Sequence, residues 1–276
     1  MNKCILNNQI IDQNKAFIHA SDLTLLRGYG IFDFLRCVGS KPLFFEDHLD
    51  RFYNSASMLR LECPVEKEEL AALIRKLIDV NGIDNSGIRM VLTGGESLNA
   101  YEIGKPTLLV FNEAIKPLPE EYYTKGIKLL GQNYERDIPE VKTINYLMGI
   151  WKTPELKEAG ALDLLFHSNG KISESTRSNF FVVMQDDTIV TAADGILKGI
   201  NRKHILQFAK GKYAVEERDL LMEELKNVKE AFITGTTKVI VPVVQIDDIT
   251  IGTGKPGAIT NQLKQEYEAY IDSNLK

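Results

Sequence analysis

DIPEVKTINYLMGIW (residues 137–151) and GKISESTRSNFFVV (residues 170–183) are the stretches from which the architecture is read. In the first, a single lysine, Lys142, stands just ahead of an apolar pattern at helical spacing made by Ile144, Leu147, Met148 and Trp151. In the second, a tight turn and a glutamate, Glu174, lead through small polar residues into an apolar strand. Taken singly, a lone lysine is ordinarily a solvated surface residue, since lysine is almost never buried without a partner. A glutamate at a strand end is ordinarily an exposed edge charge.

Two later segments change that reading. LKGINR, residues 197–202, opens a helical pattern whose first backbone amides and dipole favour a bound phosphate. AFITGTTKVIVPV, residues 231–243, sets Gly-Thr-Thr between two β runs, where amides and hydroxyls form an anion-binding nest. Alone, the first is a helix start and the second a hairpin turn. A lysine, an acid and two anion-holding turns in this order make the constellation that pyridoxal phosphate chemistry needs.

Working outward, the character of the chain changes at FNEAIKPLPE, residues 111–120, where two prolines stand among polar residues. This places an N-terminal domain at 1–113, a linker at 114–120 and a C-terminal domain at 121–276. Before the linker, strands are expected at Gly30–Val38, Pro42–Phe45, Ile88–Thr93 and Pro106–Phe111, interrupted by helices at Glu46–Arg60 and Val65–Val80. After it, strands are expected at Ile127–Leu130, Asp163–His167, Ser178–Met184, Thr188–Thr191, Ala231–Thr234 and Val239–Ile246. Helices are expected at Asn145–Ala159, Ile200–Lys210, Leu221–Asn227 and Gly257–Ser273. The strict strand–helix alternation of a doubly wound sheet is absent, so the fold class is α+β, with a small N-terminal domain of mixed helix and sheet and a larger, β-rich C-terminal domain.

Composition excludes several functions. A net charge of −5 offers no basic excess for a nucleic acid backbone, and no run approaches the roughly 20 apolar residues of a membrane-spanning helix. The opening residues lack the apolar stretch of a signal peptide, so a cytoplasmic protein is expected. Cys4, Cys37 and Cys63 share no metal-ligand spacing and read as reduced thiols. The four histidines are equally scattered, and no metal site is expected.

Five separated blocks, RGYGIFDFLR from Arg27, DHLDRFYNSA from Asp47, KTINYL from Lys142, KISESTRSNFF from Lys171, and LKGINR paired with TGTTKVIVPV, together resemble the class IV aminotransferases. These are fold-type IV pyridoxal phosphate enzymes that include branched-chain aminotransferases, D-amino acid transaminases and aminodeoxychorismate lyases. The resemblance implies that Lys142 is the Schiff-base lysine and proton-transfer base, and that Glu174 faces the pyridine nitrogen. It implies that Arg51 binds the phosphate, with a planar fork suited to phosphate oxygens. Ile200 and Asn201 match the helix-opening pair that offers amides to the phosphate, Asn201 standing where threonine is usual. Thr236 and Thr237 match the second phosphate turn, Leu197 the apolar residue under the ring, and Tyr146 a tyrosine near the phenolic oxygen. A homodimer is also implied.

Three arginines bear on the substrate. Arg27 falls where branched-chain enzymes carry a tyrosine, Arg89 in GIRMVLTGG matches a pocket arginine, and Arg177 sits in the turn after Glu174. Were all three to point inward, the pocket would be strongly cationic and would suit a carboxylate held bidentately. That pattern resembles D-amino acid transaminases using D-glutamate or D-alanine with a 2-oxo acid. The alternatives are an L-branched-chain-type aminotransferase and a 4-amino-4-deoxychorismate lyase. Arg36, after an apolar strand, is expected to brace an acidic residue.

Overall fold

The computed structural model describes residues 2–275, which fall into two compact units. The first runs through Lys116 and also takes in Val141–Asn145 and Leu275; the second comprises Pro117–Glu140 and Tyr146–Asn274. The segment that carries Lys142, placed by the sequence with the C-terminal part of the chain, packs with the first unit.

The first unit begins with a hairpin, β1 (Lys3–Leu6) and β2 (Gln9–Asp12), then a single helical turn, α1 (Leu23–Arg27). It continues with β3 (Gly30–Val38), β4 (Lys41–Pro42), α2 (Phe45–Met58), α3 (Lys67–Asn81), β5 (Ser86–Thr93) and β6 (Leu108–Ala114). The strands pair antiparallel in the order β2-β1-β6-β5-β3-β4. Strand β3 sets the geometry. Ile31, Asp33, Leu35 and Cys37 are buried on one face, while Phe32, Phe34 and Arg36 stand half-buried on the other, as the two-residue period of a strand requires. Helices α2 and α3 cover the buried face with Leu49, Phe52, Leu70, Ile74 and Leu77. Burial of each such side chain contributes about 1.5–3 kcal/mol.

The expected strand Pro42–Phe45 is cut short. Only Lys41 and Pro42 pair with β3; Phe44 turns into the left-handed region at φ 48° and Phe45 starts α2, so Leu43 and Phe45 are buried at a helix entry. Glu46 and Asp47 lie in that first turn, where the helix dipole favours acidic residues. Arg36 reaches the amide oxygen of Asn85 at 3.5 Å, not an acidic residue.

The second unit opens with α4 (Glu121–Thr124) and β7 (Ile127–Asn133), followed by α5 (Leu147–Trp151) and α6 (Thr153–Glu158). These two short helices replace the single helix expected over Asn145–Ala159. Pro154 lies in the first turn of α6, where its missing N–H costs nothing; inside a continuous helix it would remove a hydrogen bond and clash with the preceding turn. Of the apolar pattern there, Met148 packs against the buried cluster of Leu156, Leu164 and Phe166, whereas Leu147, Ile150 and Trp151 are exposed.

Strands β8 (Asp163–Ser168), β9 (Lys171–Ser175), β10 (Ser178–Val183) and β11 (Ile189–Thr191) precede α7 (Ile200–Ala209). After it come β12 (Val215–Glu217), β13 (Leu220–Leu221), β14 (Glu230–Gly235), β15 (Val239–Ile246), β16 (Ile249–Thr250) and α8 (Ala258–Asn274). Leu221–Asn227, expected as a helix, is a 3-10 turn over Met222–Asn227. Because β10 pairs with both β14 and β9, the sheet closes on itself through β10-β14-β15-β7-β8-β9. Every residue of β10 is buried, which accounts for its unbroken apolar run. The closing pair is the β9–β10 hairpin, whose two-residue turn is Thr176–Arg177. Among the described residues, no helix is long and apolar enough to cross a membrane.

Candidate active site

In the first unit, Val141–Asn145 runs as a short extension along β3. Phe32 donates its N–H to the Lys142 carbonyl at 3.0 Å, Ile144 donates to Gly30 at 3.1 Å, and Ile31 bridges Thr143. This places the Lys142 Nζ 4.5 Å from the centre of the Phe32 ring. The guanidinium of Arg89, on β5, lies 6.0 Å from the same ring and 5.0 Å from that of Phe34. Arg89 donates from Nε and Nη2 to the two carboxylate oxygens of Glu113 at 2.9 and 3.0 Å. That grip leaves the Nη1 side of the fork directed elsewhere.

On the other face of β3, Arg51 meets Asp33. Its Nε and Nη2 donate to the two oxygens of Asp33, both at 2.8 Å, and the His48 Nδ1 lies 2.8 Å from Oδ1. Asp33 and His48 are fully buried. Burial alone would raise the Asp33 carboxyl; the Arg51 guanidinium and the His48 contact outweigh it and hold Asp33 well below the usual carboxylate range. Burial pushes His48 down from the ordinary histidine value, so at neutral pH it is an uncharged donor to Asp33. Arg27 is exposed at the end of α1, its Nη1 donating to the Leu26 carbonyl at 2.8 Å.

In the second unit, Glu174 lies at the end of β9, opposite Asn179 of β10. Arg136 donates to its Oε1 from Nε at 2.9 Å and Nη2 at 2.7 Å. The Leu197 amide donates to Oε2 at 3.1 Å, and the Asn179 side-chain amide reaches the same oxygen at 3.4 Å while donating to the Leu197 carbonyl at 2.8 Å. The carboxylate is therefore aimed by Arg136 and tied to the segment carrying Leu197. The Tyr146 hydroxyl is pushed up to about 12, by burial first, with Glu174 and Asp163 raising it and Arg136 and Arg177 opposing them. The Arg177 side chain is exposed, its Nε 3.9 Å from buried Asp163.

The two turns expected from the sequence to hold an anion also belong to this unit. Helix α7 makes its first backbone bond from Lys203 to Gly199, so the amides of Ile200, Asn201 and Arg202 precede it, and no side chain caps the end. The Asn201 side-chain amide donates to the Gly235 carbonyl at 3.0 Å, joining α7 to the β14–β15 turn that carries Thr236 and Thr237. The hydroxyl of Thr176, in the β9–β10 turn, is buried without a hydrogen-bond partner. Uncapped amides, threonine hydroxyls and a held carboxylate are the donor set that a phosphorylated pyridine requires, and the residues present fit such a group.

Sequence reading passed over Asp33, His48, Arg136, Asn179 and Lys238. Asp33 carried a signal, being the one acid on the buried register of an otherwise apolar strand. Arg136 carried none, because it meets Glu174 across 38 positions.

Residues 30–246 match the family model described as amino-transferase class IV. A Methanocaldococcus jannaschii protein provisionally named a branched-chain-amino-acid aminotransferase is 31% identical over 96% of this chain and 95% of its own. The D-alanine aminotransferase of Listeria monocytogenes serotype 4b is 29% identical over 96% of this chain and 94% of its own. The crystal structure of the Escherichia coli branched-chain amino acid aminotransferase superposes with a TM-score of 0.89 at 25% identity, covering 98% of this chain and 94% of that one. By the breadth of this match, the chain belongs to the class IV aminotransferases, enzymes that use pyridoxal 5′-phosphate.

Proposed function

We propose that this aminotransferase moves an amino group between a D-amino acid, D-glutamate or D-alanine, and a 2-oxo acid, working in the cytoplasm as a homodimer. The observation that carries the reading is the pairing of Lys142 and Arg89 on one aromatic ring, Phe32. An amine that would handle the substrate α-carbon, beside a guanidinium whose Nη1 is not used by the Glu113 pair and can donate to a carboxylate, suits an anionic amino acid or 2-oxo acid. Likeness to D-alanine aminotransferases over nearly the whole chain supports the D-series.

Bound pyridoxal 5′-phosphate supplies the electron sink that transamination needs. Lys142 would hold it covalently, and its amine is the base that would move the proton at the substrate Cα. Glu174, steadied by Arg136, keeps a proton on the pyridine nitrogen. In the first unit Arg51, oriented by Asp33, would hold phosphate; in the second, the amides of Ile200 and Asn201 and the turn at Thr236 and Thr237 would do so. Leu197 would support the ring, and Tyr146 would donate to its phenolic oxygen. Arg27, Arg89 and Arg177 contact substrate carboxylates.

An L-branched-chain reading is favoured by the apolar ring of Phe32 beside Lys142 and by the Escherichia coli relative. Near-ultraviolet and visible absorbance of the holoenzyme, recorded on separate addition of D-alanine, D-glutamate, L-leucine and L-glutamate, separates the two. Loss of the yellow band with the D-acids alone is expected; loss with L-leucine would replace the D-series reading.

A further inference from the structure

Lys238 is a lysine that neither anchors a cofactor nor reaches solvent. It directly follows the Gly235–Thr237 turn and is 6% exposed. Its Nζ donates to the Ser178 hydroxyl at 2.8 Å and lies 3.4 Å from Asp163 Oδ2. Asp163 is itself buried, and Arg177 approaches the same carboxylate oxygen at 3.9 Å. Two cations around one carboxylate leave a net positive charge behind the turn. Burial pushes the Lys238 ammonium down from the ordinary lysine value, and Asp163 works against that shift.

The backbone here is held from several sides. Val239 sits at φ 59°, a region that β-branched residues rarely visit and that persists only where the surroundings over-determine it. The Lys238 N–H donates to the Gly235 carbonyl at 3.1 Å, the Tyr123 hydroxyl donates to the Lys238 carbonyl at 3.2 Å, and the Thr234 hydroxyl donates to the Val239 carbonyl. A Cβ on Gly235 would stand 3.2 Å from the Arg177 carbonyl and 3.3 Å from the Ser178 hydroxyl, so the turn lies directly on the β9–β10 hairpin. It cannot shift without lifting Lys238 from its polar seat.

We propose that Lys238 is a positioning residue for this turn: seated on Ser178 and Asp163, its ammonium fixes Thr236 and Thr237 and places positive charge behind them, so that the turn selects an anionic group, the cofactor phosphate. The inference rests on the assignment of Thr236 and Thr237 to phosphate made above.

The test compares the dissociation constants of apoenzyme for pyridoxal 5′-phosphate and for pyridoxal, by absorbance titration. The double variant Lys238→Met/Asp163→Asn removes both buried charges together, leaving no lone buried ion to unfold the protein and, with Arg177 retained, the same net charge, so it reports the seating of the turn by the ammonium. It should bind pyridoxal 5′-phosphate about tenfold more weakly, the size of one charged hydrogen bond, with pyridoxal affinity nearly unchanged. Ser178→Ala, which leaves both charges in place, should give the same selective loss at roughly threefold and carries the test should the double variant not fold. Unchanged pyridoxal 5′-phosphate affinity, or equal weakening of both ligands, overturns the role of Lys238. Thr236→Val is the control. If it too leaves the preference for the phosphorylated ligand intact, the phosphate assignment fails and the proposal with it; if it alone lowers that preference, only the role of Lys238 fails.

Discussion

Arg136 and Glu174, 38 positions apart in the chain, form a two-pronged ion pair in which Nε and Nη2 both reach Oε1, at 2.9 and 2.7 Å. The pair presents a carboxylate that is charged and fixed before any ligand arrives. Glu174→Gln should retain cofactor and lose on the order of 100-fold in kcat, because an amide no longer stabilises a proton on the pyridine nitrogen. Arg136→Met should change kcat in the same direction and by less, since the Leu197 amide and Asn179 still hold Oε2. Steady-state kinetics with cofactor content measured by absorbance check both; a full-rate Glu174→Gln enzyme would remove Glu174 from the chemistry.

Lys142→Ala should abolish transamination and the yellow absorbance of the holoenzyme together. The neighbouring backbone bonds from Phe32 and Ile144 do not involve the side chain, so the fold should survive, as circular dichroism would report. Substantial residual turnover would sink the assignment.

The Asp33–Arg51–His48 cluster makes an acid-lability prediction. Asp33 is held below its unfolded value, so its contribution is complete above roughly pH 4 and is lost as pH falls towards the folded value. His48 adds the same sign, because the unfolded chain gains a proton below roughly pH 6.5 that the buried ring resists. Asp33→Asn should cost about 3–5 kcal/mol at pH 7 by leaving Arg51 partnered to a neutral group. That difference should shrink in denaturant titrations carried out below pH 4.

Arg89→Leu should raise KM for 2-oxoglutarate or D-glutamate roughly thirtyfold, equivalent to about 2 kcal/mol for one charged hydrogen bond, while leaving substrates without a second carboxylate little changed. Equal effects on both classes would mean that Arg89 only braces Glu113 and the sheet.

The exposed apolar row Leu147, Ile150 and Trp151, with Trp151 63% exposed, suits a second copy of the chain. Light scattering after size exclusion should give twice the chain mass, and Trp151→Asp should shift the population towards monomer. A monomeric parent protein at micromolar concentration would contradict the dimer.

What the sequence determined by itself was whatever local periodicity and turn chemistry encode. The two-residue alternation of Gly30–Val38 emerged as a strand with the same bounds, Val239–Ile246 likewise, and the capless start at Gly199–Ile200 was legible because a helix end is a local event. The candidate lysine, acid and anion turns were legible as types in a fixed order. Tertiary structure alone decided which charges meet. Asp33 holds Arg51 because a strand and a helix present them to the same buried layer, and Arg136 holds Glu174 because β7, which leads into Arg136, and β9 flank β8 in the sheet. It also decided that Val141–Asn145 runs along β3, and that Lys238 is buried on Ser178 and Asp163, not solvated. Such pairings depend on desolvation and on distances across tens of residues, which a local pattern does not encode.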